Sequence, residues 1–304
     1  MNLLVTGATG FVGTHVGREA EARGHVVIPV GSPASGSLGV DLMDPAAVTA
    51  IFKSVSFDAL IHLAARTQAT GSEWHGDLVK ANTQPAVNVL HAVADHRPRA
   101  RVVLVSSSAV YAPRSAENGP ILESAELRPV LAYGRAKVAV EQAGQASRAR
   151  GLDVVIARPF NLAGPGQPET AVPASFARQV GSKRAVRIIS RGSLSSFRDF
   201  TDVRDTARAL VDLAERRTDL GPFNICSGVA RRISDVVNDL QRLAGTNLPV
   251  QVDGQVAGKT DVPYQCGSRA HIGDAVGWEP TFEWEHTLEA TLAEWIARNG
   301  EGHP

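Results

Sequence analysis

Residues 3–13 read LLVTGATGFVG. A short apolar run is followed by a turn with three glycines, and the helical pattern after the turn has its apolar residues on one face. The glycines permit a tight turn in which the backbone approaches a bound group closely, and the first N–H groups of a helix favour a negative charge there. We therefore expect a strand, an anion-binding turn and a helix. The three glycines are Gly7, Gly10 and Gly13.

The same alternation continues through the first half of the chain. Short runs rich in Val, Ile and Leu alternate with helix-length segments, and such runs are typical of parallel strands that helices cover on both faces. The runs lie at residues 25–30, 59–63, 101–105 and 153–157. This pattern predicts an α/β fold with a doubly wound parallel sheet of the Rossmann type.

The second half is less regular, and a Gly- and Pro-rich segment at 164–168 indicates a linker between two domains. We expect the run at 223–226 to return as a strand to the first sheet. The last helix should have its apolar face at Leu288, Leu292, Trp295 and Ile296. The predicted domains are a dinucleotide-binding Rossmann domain of residues 1–165 plus about 201–228, and a smaller, discontinuous substrate-binding domain of about 166–200 plus 229–304.

Composition narrows the class of function. The chain has 304 residues, of which 43% are hydrophobic and 20% charged, as in ordinary globular proteins. Lys plus Arg and Asp plus Glu both number 31, so we expect no surface for nucleic acid or for an anionic membrane. Two cysteines without CxxC spacing and nine histidines without HExxH spacing predict neither a disulfide framework nor a metal site. No apolar run has the length of a membrane helix and the first strand begins at Leu3, so we expect a cytoplasmic protein.

The GxxGxxG spacing of the turn indicates a dinucleotide pyrophosphate, because a simple strand-to-helix turn would explain one or two glycines but not three in this register. The second strand ends at Gly31-Ser32, where a carboxylate would bind the ribose of NAD(H) and repel the 2′-phosphate of NADP(H). Since no acid stands there, the sequence favours NADP(H) over NAD(H), with Ser32 as a phosphate contact. Asp41 and Leu42 are placed beside the adenine, although Asp41 could equally cap a helix.

Tyr133 and Lys137 are four residues apart and therefore lie on one face of a helix. A nearby ammonium favours the phenolate, so we expect the pKa of Tyr133 to be lowered towards neutrality. Such a pair alone is common on helix surfaces. Serine hydroxyls at 106–108, however, follow the strand at 101–105 and emerge at the edge of the sheet where ligands bind. A hydroxyl, a phenol and an ammonium beside a nicotinamide predict carbonyl or alcohol redox chemistry.

These motifs together resemble those of the extended short-chain dehydrogenases/reductases, the NAD-dependent epimerase/dehydratase family, over the whole length of the chain. The matching stretches are GATGFVG (7–13), IHLAA (61–65), SSSAVY (106–111), YGRAK (133–137), RPFNLAGPGQ (158–167), RDFTDVRD (198–205), DVP (261–263) and GWEP (277–280). Within the family, RPFNLAGPGQ and RDFTDVRD resemble most closely the GDP-4-keto-6-deoxymannose reductases, which form GDP-rhamnose.

The resemblance implies a role for each residue of the catalytic set. Ser107, four residues before Tyr111, matches the family's catalytic Ser or Thr, with Ser108 as the alternative. Tyr133 is the acid/base, and Lys137 lowers its pKa and holds the nicotinamide ribose. The resemblance implies a nucleotide-sugar substrate and leaves a homodimer open. The predicted dinucleotide contacts are Gly7, Thr9, Gly10, Phe11, Val12, Gly13, Ser32, Asp41, Leu42, Leu63, Ala64, Ala65, Tyr133, Lys137 and Pro159.

On the substrate side, Asn161 is expected to hold a phosphate or the sugar, unless it forms an Asx turn. Arg198 can bind a diphosphate with its planar fork, unless it belongs to a surface ion pair. The family usually places a second phosphate-binding Arg where this chain has Gly258, and the neighbouring Lys259 would supply a point charge instead.

Other polar residues near these motifs have an alternative interpretation. Thr67, Ser72 and Ser108 are expected to line the sugar pocket, although the first two could be solvated loop residues. Asn82 is expected to support the backbone of the active site. His62 lies within a buried run and is predicted to be a packed core residue.

Sequence departures separate this chain from some relatives. Family dehydratases carry an acid just after the catalytic Ser or Thr, whereas this chain has Ser108-Ala109, and the fucose-synthase type has a Cys that this loop lacks. A 4-ketoreductase or a C4 epimerase remains. We favour an NAD(P)H-dependent reductase of a nucleotide-activated 4-keto-6-deoxyhexose. The alternatives are a C4 epimerase that holds NAD tightly and a non-catalytic dinucleotide-binding sensor, which would need only the glycine turn.

Overall fold

The computed structural model describes residues 1–31, 38–67, 77–216, 221–253 and 262–300. The described strands are β1 (Asn2–Thr6), β2 (Val26–Gly31), β3 (Leu38–Gly39), β4 (Ala59–His62), β5 (Arg101–Val105), β6 (Val154–Pro159), β7 (Asn161–Ala163), β8 (Ile188–Ser190), β9 (Phe197–Asp202), β10 (Phe223–Ile225), β11 (Ala230–Arg232), β12 (Val250–Val252) and β13 (Tyr264–Gln265). The described helices are α1 (Phe11–Ala22), α2 (Pro45–Ser54), α3 (Leu78–His96), α4 (Ala132–Arg148), α5 (Val172–Val180), α6 (Val203–Glu215), α7 (Ile233–Ala244), α8 (Ala270–Val276) and α9 (Trp284–Gly300).

A seven-stranded parallel sheet forms the main layer, in the order β10-β6-β5-β4-β1-β2-β3. The chain builds outward from β1 to β2 and β3 on one side and to β4, β5 and β6 on the other. Helices α1 and α6 pack on one face, and α2, α3 and α4 pack on the other. The predicted doubly wound α/β fold is therefore confirmed.

Burial on both faces explains why the strands are almost continuously apolar. In β1, Leu3 and Val5 pack towards α1 and α6, whereas Leu4 packs towards α2, α3 and α4. Successive side chains of a strand point to opposite faces, so each position needs an apolar residue. All three side chains are fully buried.

Strand β10 completes the sheet from a distant part of the chain. It pairs in parallel with β6, with Phe223 beside Ala157 and Ile225 beside Pro159. The expected return of this run to the first sheet is confirmed. The chain reaches β10 only after α5, β8, β9 and α6, so the main sheet is discontinuous in sequence.

The remaining strands form a second, smaller set of sheets. Strands β11, β9, β13 and β7 make a four-stranded sheet, and β8 pairs with β12. Helices α5, α7 and α9 pack together around their own apolar cluster. In α9, Leu288, Leu292 and Trp295 are buried as predicted, but Ile296 is 46% exposed and does not belong to the apolar face.

The three aspartates of the RDFTDVRD stretch (198–205) accept hydrogen bonds from three different segments of the chain. Asp199 accepts hydrogen bonds from the backbone N–H groups of residues 227, 228 and 267. Asp202 caps α6 and accepts from Thr287 Oγ1 at 2.7 Å. Asp205 accepts from the backbone N–H groups of Thr281 and Phe282, each at 3.0 Å. The stretch thereby ties the second set of sheets to the loops around it.

The described ranges contain neither a helix suited to span a membrane nor a cluster of metal-binding side chains. None of their helices is both long and apolar enough to cross a membrane. Within the same ranges, no group of three or more His, Cys, Asp or Glu side chains is arranged to hold a metal ion.

Candidate active site

The glycine turn lies between β1 and α1 at the carboxyl edge of the main sheet. Gly7 has a φ of +71°, and a Cβ there would lie 2.8 Å from the backbone nitrogen of Ala64, so both the backbone conformation and the space demand glycine. Helix α1 begins at Phe11. Its N-cap residue is Gly10, which has no side chain that could accept a hydrogen bond from the first turn. The first N–H groups of the helix are therefore not capped by a side chain and face the cleft that an anion would enter.

A cavity of about 550 Å³ opens at this turn and extends to the ends of β4, β5 and β6. It gathers predicted residues from five separate segments of the chain. The predicted cofactor residues that line it are Gly7, Gly10, Phe11, Val12, Gly13, Leu63, Ala65, Tyr133, Lys137 and Pro159. Ser107 also lines it, and so does Thr67, which the sequence analysis assigned to the sugar pocket.

Four other predicted cofactor residues do not line this cavity, and Ser32 lies outside the described residues. Thr9 is exposed within the turn. Ala64 donates its backbone N–H to Thr6 Oγ1 at 3.3 Å, so it supports the turn from below. Leu42 accepts a hydrogen bond at its carbonyl from Asn88 Nδ2 at 2.9 Å, which fixes the segment before α2.

Asp41 makes a local turn. Its carboxylate accepts from the backbone N–H of Met43 at 2.9 Å. Helix α2 is capped by Asp44, which accepts from Ala46 N at 2.9 Å. The alternative that Asp41 caps a helix is therefore wrong, because α2 begins three residues later than that alternative requires. Its predicted place beside the adenine stays a prediction.

Ser107, Tyr133 and Lys137 converge on the cavity from two elements. Ser107 follows β5, and the other two lie one turn apart on α4. Gly134 lets α4 approach the loop after β5, because a Cβ there would lie 2.2 Å from the carbonyl oxygen of Ala109. The ammonium of Lys137 donates to the carbonyl of Val105 at 2.7 Å and lies 5.7 Å from the centre of the Tyr133 ring.

Burial controls the proton affinities of this set. Burial raises the pKa of Tyr133 to about 12, and the neighbouring Ser107 hydroxyl opposes that rise. The predicted lowering of this pKa is therefore wrong for the protein alone, since the desolvation of the phenolate outweighs the opposing hydrogen bond of Ser107. Burial also lowers the pKa of Lys137 to about 8, while the carboxylate of Glu141 opposes the change. At neutral pH, the site presents a neutral phenol beside an ammonium.

His62 lies under this site at the end of β4. Its Nδ1 is 2.8 Å from Thr6 Oγ1, and its ring is 2% exposed. Burial, and secondarily the charge of Lys137, lowers the pKa of His62 to about 3, so the ring is neutral. The prediction that it is a packed core residue is confirmed.

A second cavity of about 760 Å³ adjoins the first and shares Leu162, Gln167, Thr170 and Ala171 with it. Asn161 and Arg198 line this second cavity. Asn161 Nδ2 donates to Gln265 Oε1 at 3.0 Å, across the small sheet. Arg198 Nη1 donates to the carbonyls of Phe197 and Val262, at 2.8 and 2.5 Å.

A third, smaller cavity of about 260 Å³ joins the two sets of residues. It is lined by Ser107, Ser108 and Tyr133 from the main sheet side and by Asn161 and Arg198 from the other. Ser108 is buried, and its carbonyl accepts from Gln265 Nε2 at 3.1 Å. Ser72 and Lys259, the other two predicted substrate residues, lie outside the described residues.

Sequence reasoning missed several residues that line these cavities. Gln167 lines both large cavities and is only 4% exposed, although it stands in the segment interpreted as a linker. Gln265 contacts both Asn161 and Ser108, and no pattern around it signals that position.

Asn82 was expected to support the active-site backbone, and its side chain exchanges two hydrogen bonds with the backbone of Arg66, at 3.0 and 3.1 Å.

The cradle at Gly7, the uncapped start of α1 and the adjoining Tyr133–Lys137 face fit a nicotinamide dinucleotide. These features define an NAD(P)-dependent oxidoreductase of the extended short-chain dehydrogenase/reductase type. The family model described as the NAD dependent epimerase/dehydratase family matches residues 3–226, which is most of the chain. The protein belongs to this family.

Relatives of known sequence and structure agree with that assignment. GDP-6-deoxy-D-mannose reductase of Pseudomonas aeruginosa is 29% identical over 97% of this chain and 97% of its own length. The solved structure of RMD from the same organism, complexed with NADPH, matches with a TM-score of 0.85 at 29% identity, covering 98% of this chain and 99% of that one. The structure of a putative epimerase from Burkholderia cenocepacia matches with a TM-score of 0.87 at 31% identity, covering 97% of this chain and 98% of that one.

Proposed function

We propose that the protein is an NAD(P)H-dependent reductase of a nucleotide-activated 4-keto-6-deoxyhexose. The observation that carries the proposal is the cavity of about 260 Å³, because it is lined by Ser107 and Tyr133 on one side and by Asn161 and Arg198 on the other. A sugar carbonyl held there meets a proton donor, while its diphosphate meets an amide and a guanidinium. The similarity to a GDP-6-deoxy-D-mannose reductase supports the same class of substrate.

Each residue of the catalytic set has a distinct task in this reaction. The nicotinamide, when bound, supplies the hydride that reaches the carbonyl carbon. Tyr133 holds its proton at neutral pH and transfers it to the developing alkoxide, and Ser107 donates a hydrogen bond to the same oxygen. Lys137, held by the carbonyl of Val105, keeps a positive charge beside the phenol as that proton leaves.

We infer a preference for NADP(H) over NAD(H). The last residue of β2 is Gly31, which has no side chain. The carboxylate that would repel a 2′-phosphate is therefore absent at this position. A solved structure with the same fold and 29% identity contains NADPH. The preference should be modest, about tenfold or 1.4 kcal/mol.

The two sides of the site support the proposal that one domain binds the dinucleotide and the other binds the nucleotide sugar. The dinucleotide is assigned to residues 1–165 plus about 201–228, and the nucleotide sugar to about 166–200 plus 229–304. Thr67, Ser72, Ser108 and Lys259 remain proposed sugar or phosphate contacts. The cytoplasmic location and the homodimer remain predictions of the sequence.

A C4 epimerase is the second candidate, and the 31% identity to a putative epimerase of the same fold favours it. The two candidates differ in what happens to the cofactor. A reductase consumes NAD(P)H in proportion to product, whereas an epimerase retains its cofactor and consumes none.

The test is a nicotinamide-absorbance assay over GDP-, dTDP-, UDP- and CDP-linked 4-keto-6-deoxyhexoses, with NADPH and NADH compared and Tyr133→Phe as the inactive control. Stoichiometric oxidation of NADPH with one nucleotide sugar is the expected result. On a nucleotide-linked 6-deoxyhexose that carries a C4 hydroxyl, interconversion of the two C4 epimers without net oxidation or reduction of the cofactor would identify the epimerase. Dinucleotide binding without turnover of any sugar would identify a sensor and overturn the proposal.

A further inference from the structure

We propose that the buried ion pair of Glu141 and Arg158 is a clamp that fixes both ends of the catalytic loop, residues 106–111, and thereby positions Ser107. The inference deepens the proposed function and rests on it. Glu141 and Arg158 are positioning residues, since both lie beneath the loop and neither lines the described cavities around Ser107 and Tyr133.

The first end of the catalytic loop is held by the carboxylate. Ser106, which directly precedes Ser107, donates its hydroxyl to Glu141 Oε1 at 2.5 Å. Its backbone N–H donates to the carbonyl of Ala157 at 2.7 Å, so both its side chain and its backbone are fixed. Ser106 is 3% exposed.

The last residue of the catalytic loop is held by the guanidinium. Arg158 Nη1 donates to the phenol oxygen of Tyr111 at 2.9 Å, and that phenol donates to Asn224 Oδ1 at 2.6 Å. The same nitrogen of Arg158 also donates to the carbonyl of Glu123 at 3.0 Å. Tyr111 therefore has a fixed place between β6 and β10.

The two ends are coupled through one bidentate ion pair. Arg158 Nε and Nη2 donate to the two carboxylate oxygens of Glu141 at 2.8 and 2.7 Å. A displacement of either charged group therefore moves both Ser106 and Tyr111, and Ser107 lies between them.

The depth of this pair argues for a positioning role. Glu141 is 1% exposed and Arg158 is 3% exposed. Two charges at such depth lose their hydration, and well-packed apolar side chains often stabilise a fold equally well. What apolar side chains could not do is hold a serine hydroxyl and a tyrosine phenol in fixed directions.

Glu141 also lies one helical turn beyond Lys137 on α4. Its charge opposes the lowering of the Lys137 pKa that burial causes. The clamp is therefore joined to the catalytic face of α4 as well as to the catalytic loop.

A double-mutant cycle tests the proposal. Glu141→Gln should lower kcat by about tenfold or more, because a small displacement of a catalytic group is enough for such a loss, and it should leave the Kd for NADPH unchanged. In a Ser107→Ala background the same substitution should cost almost nothing further, because the loop no longer carries the hydroxyl that it positions. An equal loss in both backgrounds would show a merely structural role and overturn the proposal.

Asp153→Asn is the matched control. It weakens a different ion pair, which is only partly buried: Arg101 Nη1 lies 3.1 Å from Asp153 Oδ1 at the opposite edge of the main sheet. It should lower Tm without changing kcat. If Glu141→Gln does not fold, Ser106→Ala and Tyr111→Phe each remove one contact of the clamp and keep the ion pair. Wild-type kcat in both of these variants would overturn the proposal.

Hydrogen exchange separates this proposal from the proposed function. In Glu141→Gln, but not in Asp153→Asn, the backbone amides of residues 106–111 should exchange faster than in the wild type, whether or not the protein turns over a sugar. Wild-type protection of these amides in Glu141→Gln would overturn the clamp. Absence of turnover in the wild type would overturn the proposed function alone.

Discussion

Tyr133 is the residue on which the proposed chemistry depends most directly. Its phenol has a pKa raised to about 12 by burial, so it enters the reaction protonated. Tyr133→Phe keeps the ring and removes the proton, so we expect NADPH binding to persist while kcat falls by about 10² to 10⁴. Steady-state kinetics with a fluorescence titration of NADPH would measure both. A variant within about threefold of the wild-type kcat would remove Tyr133 from the mechanism.

Lys137 sets the expected pH dependence. Burial lowers its pKa to about 8, so its charge is present below that pH and is lost as the pH rises through it. The kcat/KM for reduction should therefore be level at neutral pH and fall above about pH 8, because kcat/KM reports groups of the free enzyme. Lys137→Arg, which stays charged at alkaline pH, should shift or abolish the fall. A flat wild-type profile up to about pH 10 would contradict this assignment.

At the scale of one element, helix α1 contains two glycines, of which the site requires Gly13 but not Gly17. A Cβ at Gly13 would lie 2.2 Å from the carbonyl of Gly7, whereas a Cβ at Gly17, one turn later, would meet nothing within 4 Å. Gly13→Ala should therefore displace the turn and abolish dinucleotide binding. Gly17→Ala should bind normally and gain about 0.5–1 kcal/mol of stability from its helix propensity.

The pair can be compared directly by calorimetric titration with NADPH and by thermal unfolding. Tight binding by Gly13→Ala would show that the close packing of α1 on the turn is not required. Loss of binding in Gly17→Ala would show that the whole helix, and not its first turn, is sensitive to substitution.

Helix α4 carries two residues of the catalytic set and one residue of the ion pair that positions the catalytic loop. Tyr133, Lys137 and Glu141 are spaced by four residues and so lie along one face. Gly134, beside the first of them, lets this face approach the loop after β5. One helix thus carries the proton donor, the cation and one half of the clamp, which is why its packing determines the geometry of the site.

At the scale of the whole molecule, the site lies where the sheet reverses its direction of winding. Strands β1 and β4 are neighbours there, and their last residues, Thr6 and His62, form a hydrogen bond beneath the cofactor cavity. Ligands of open α/β sheets bind in the crevice at such a switch point, because loops from adjacent strands diverge above it.

His62 gives the fold an acid sensitivity that can be measured. Its pKa is about 3 in the folded protein and 6.5 as the ordinary value, so the unfolded chain binds one more proton between these limits. Stability is therefore lost as the pH falls below about 6.5, by up to about 1.4 kcal/mol per pH unit. His62→Asn, which keeps a polar partner for Thr6, should lose this part of the slope when free energies of unfolding in urea are compared at several pH values. Parallel slopes for the two proteins would show that His62 is protonated in the fold.

The sequence by itself determined the main sheet, the glycine turn and the Tyr133–Lys137 face. These features are local or periodic: a strand buried on both faces needs continuous apolar residues, a turn under a pyrophosphate needs glycine, and a spacing of four residues places two side chains on one side of a helix. Each can be recognised without knowing what packs against it.

Only the tertiary structure decided the proton affinity of Tyr133, the joining of three cavities and the role of the RDFTDVRD aspartates. The pKa prediction was wrong because the sequence places Lys137 near Tyr133 but does not show the packing of other segments that desolvates the phenol and raises its pKa. Gln265 contacts Asn161 and Ser108 across about a hundred residues or more, and Glu141 meets Arg158 through the packing of α4 on β6. Such contacts have no period and no fixed spacing in the sequence. The sequence therefore shows both residues of each contact but does not indicate that they touch.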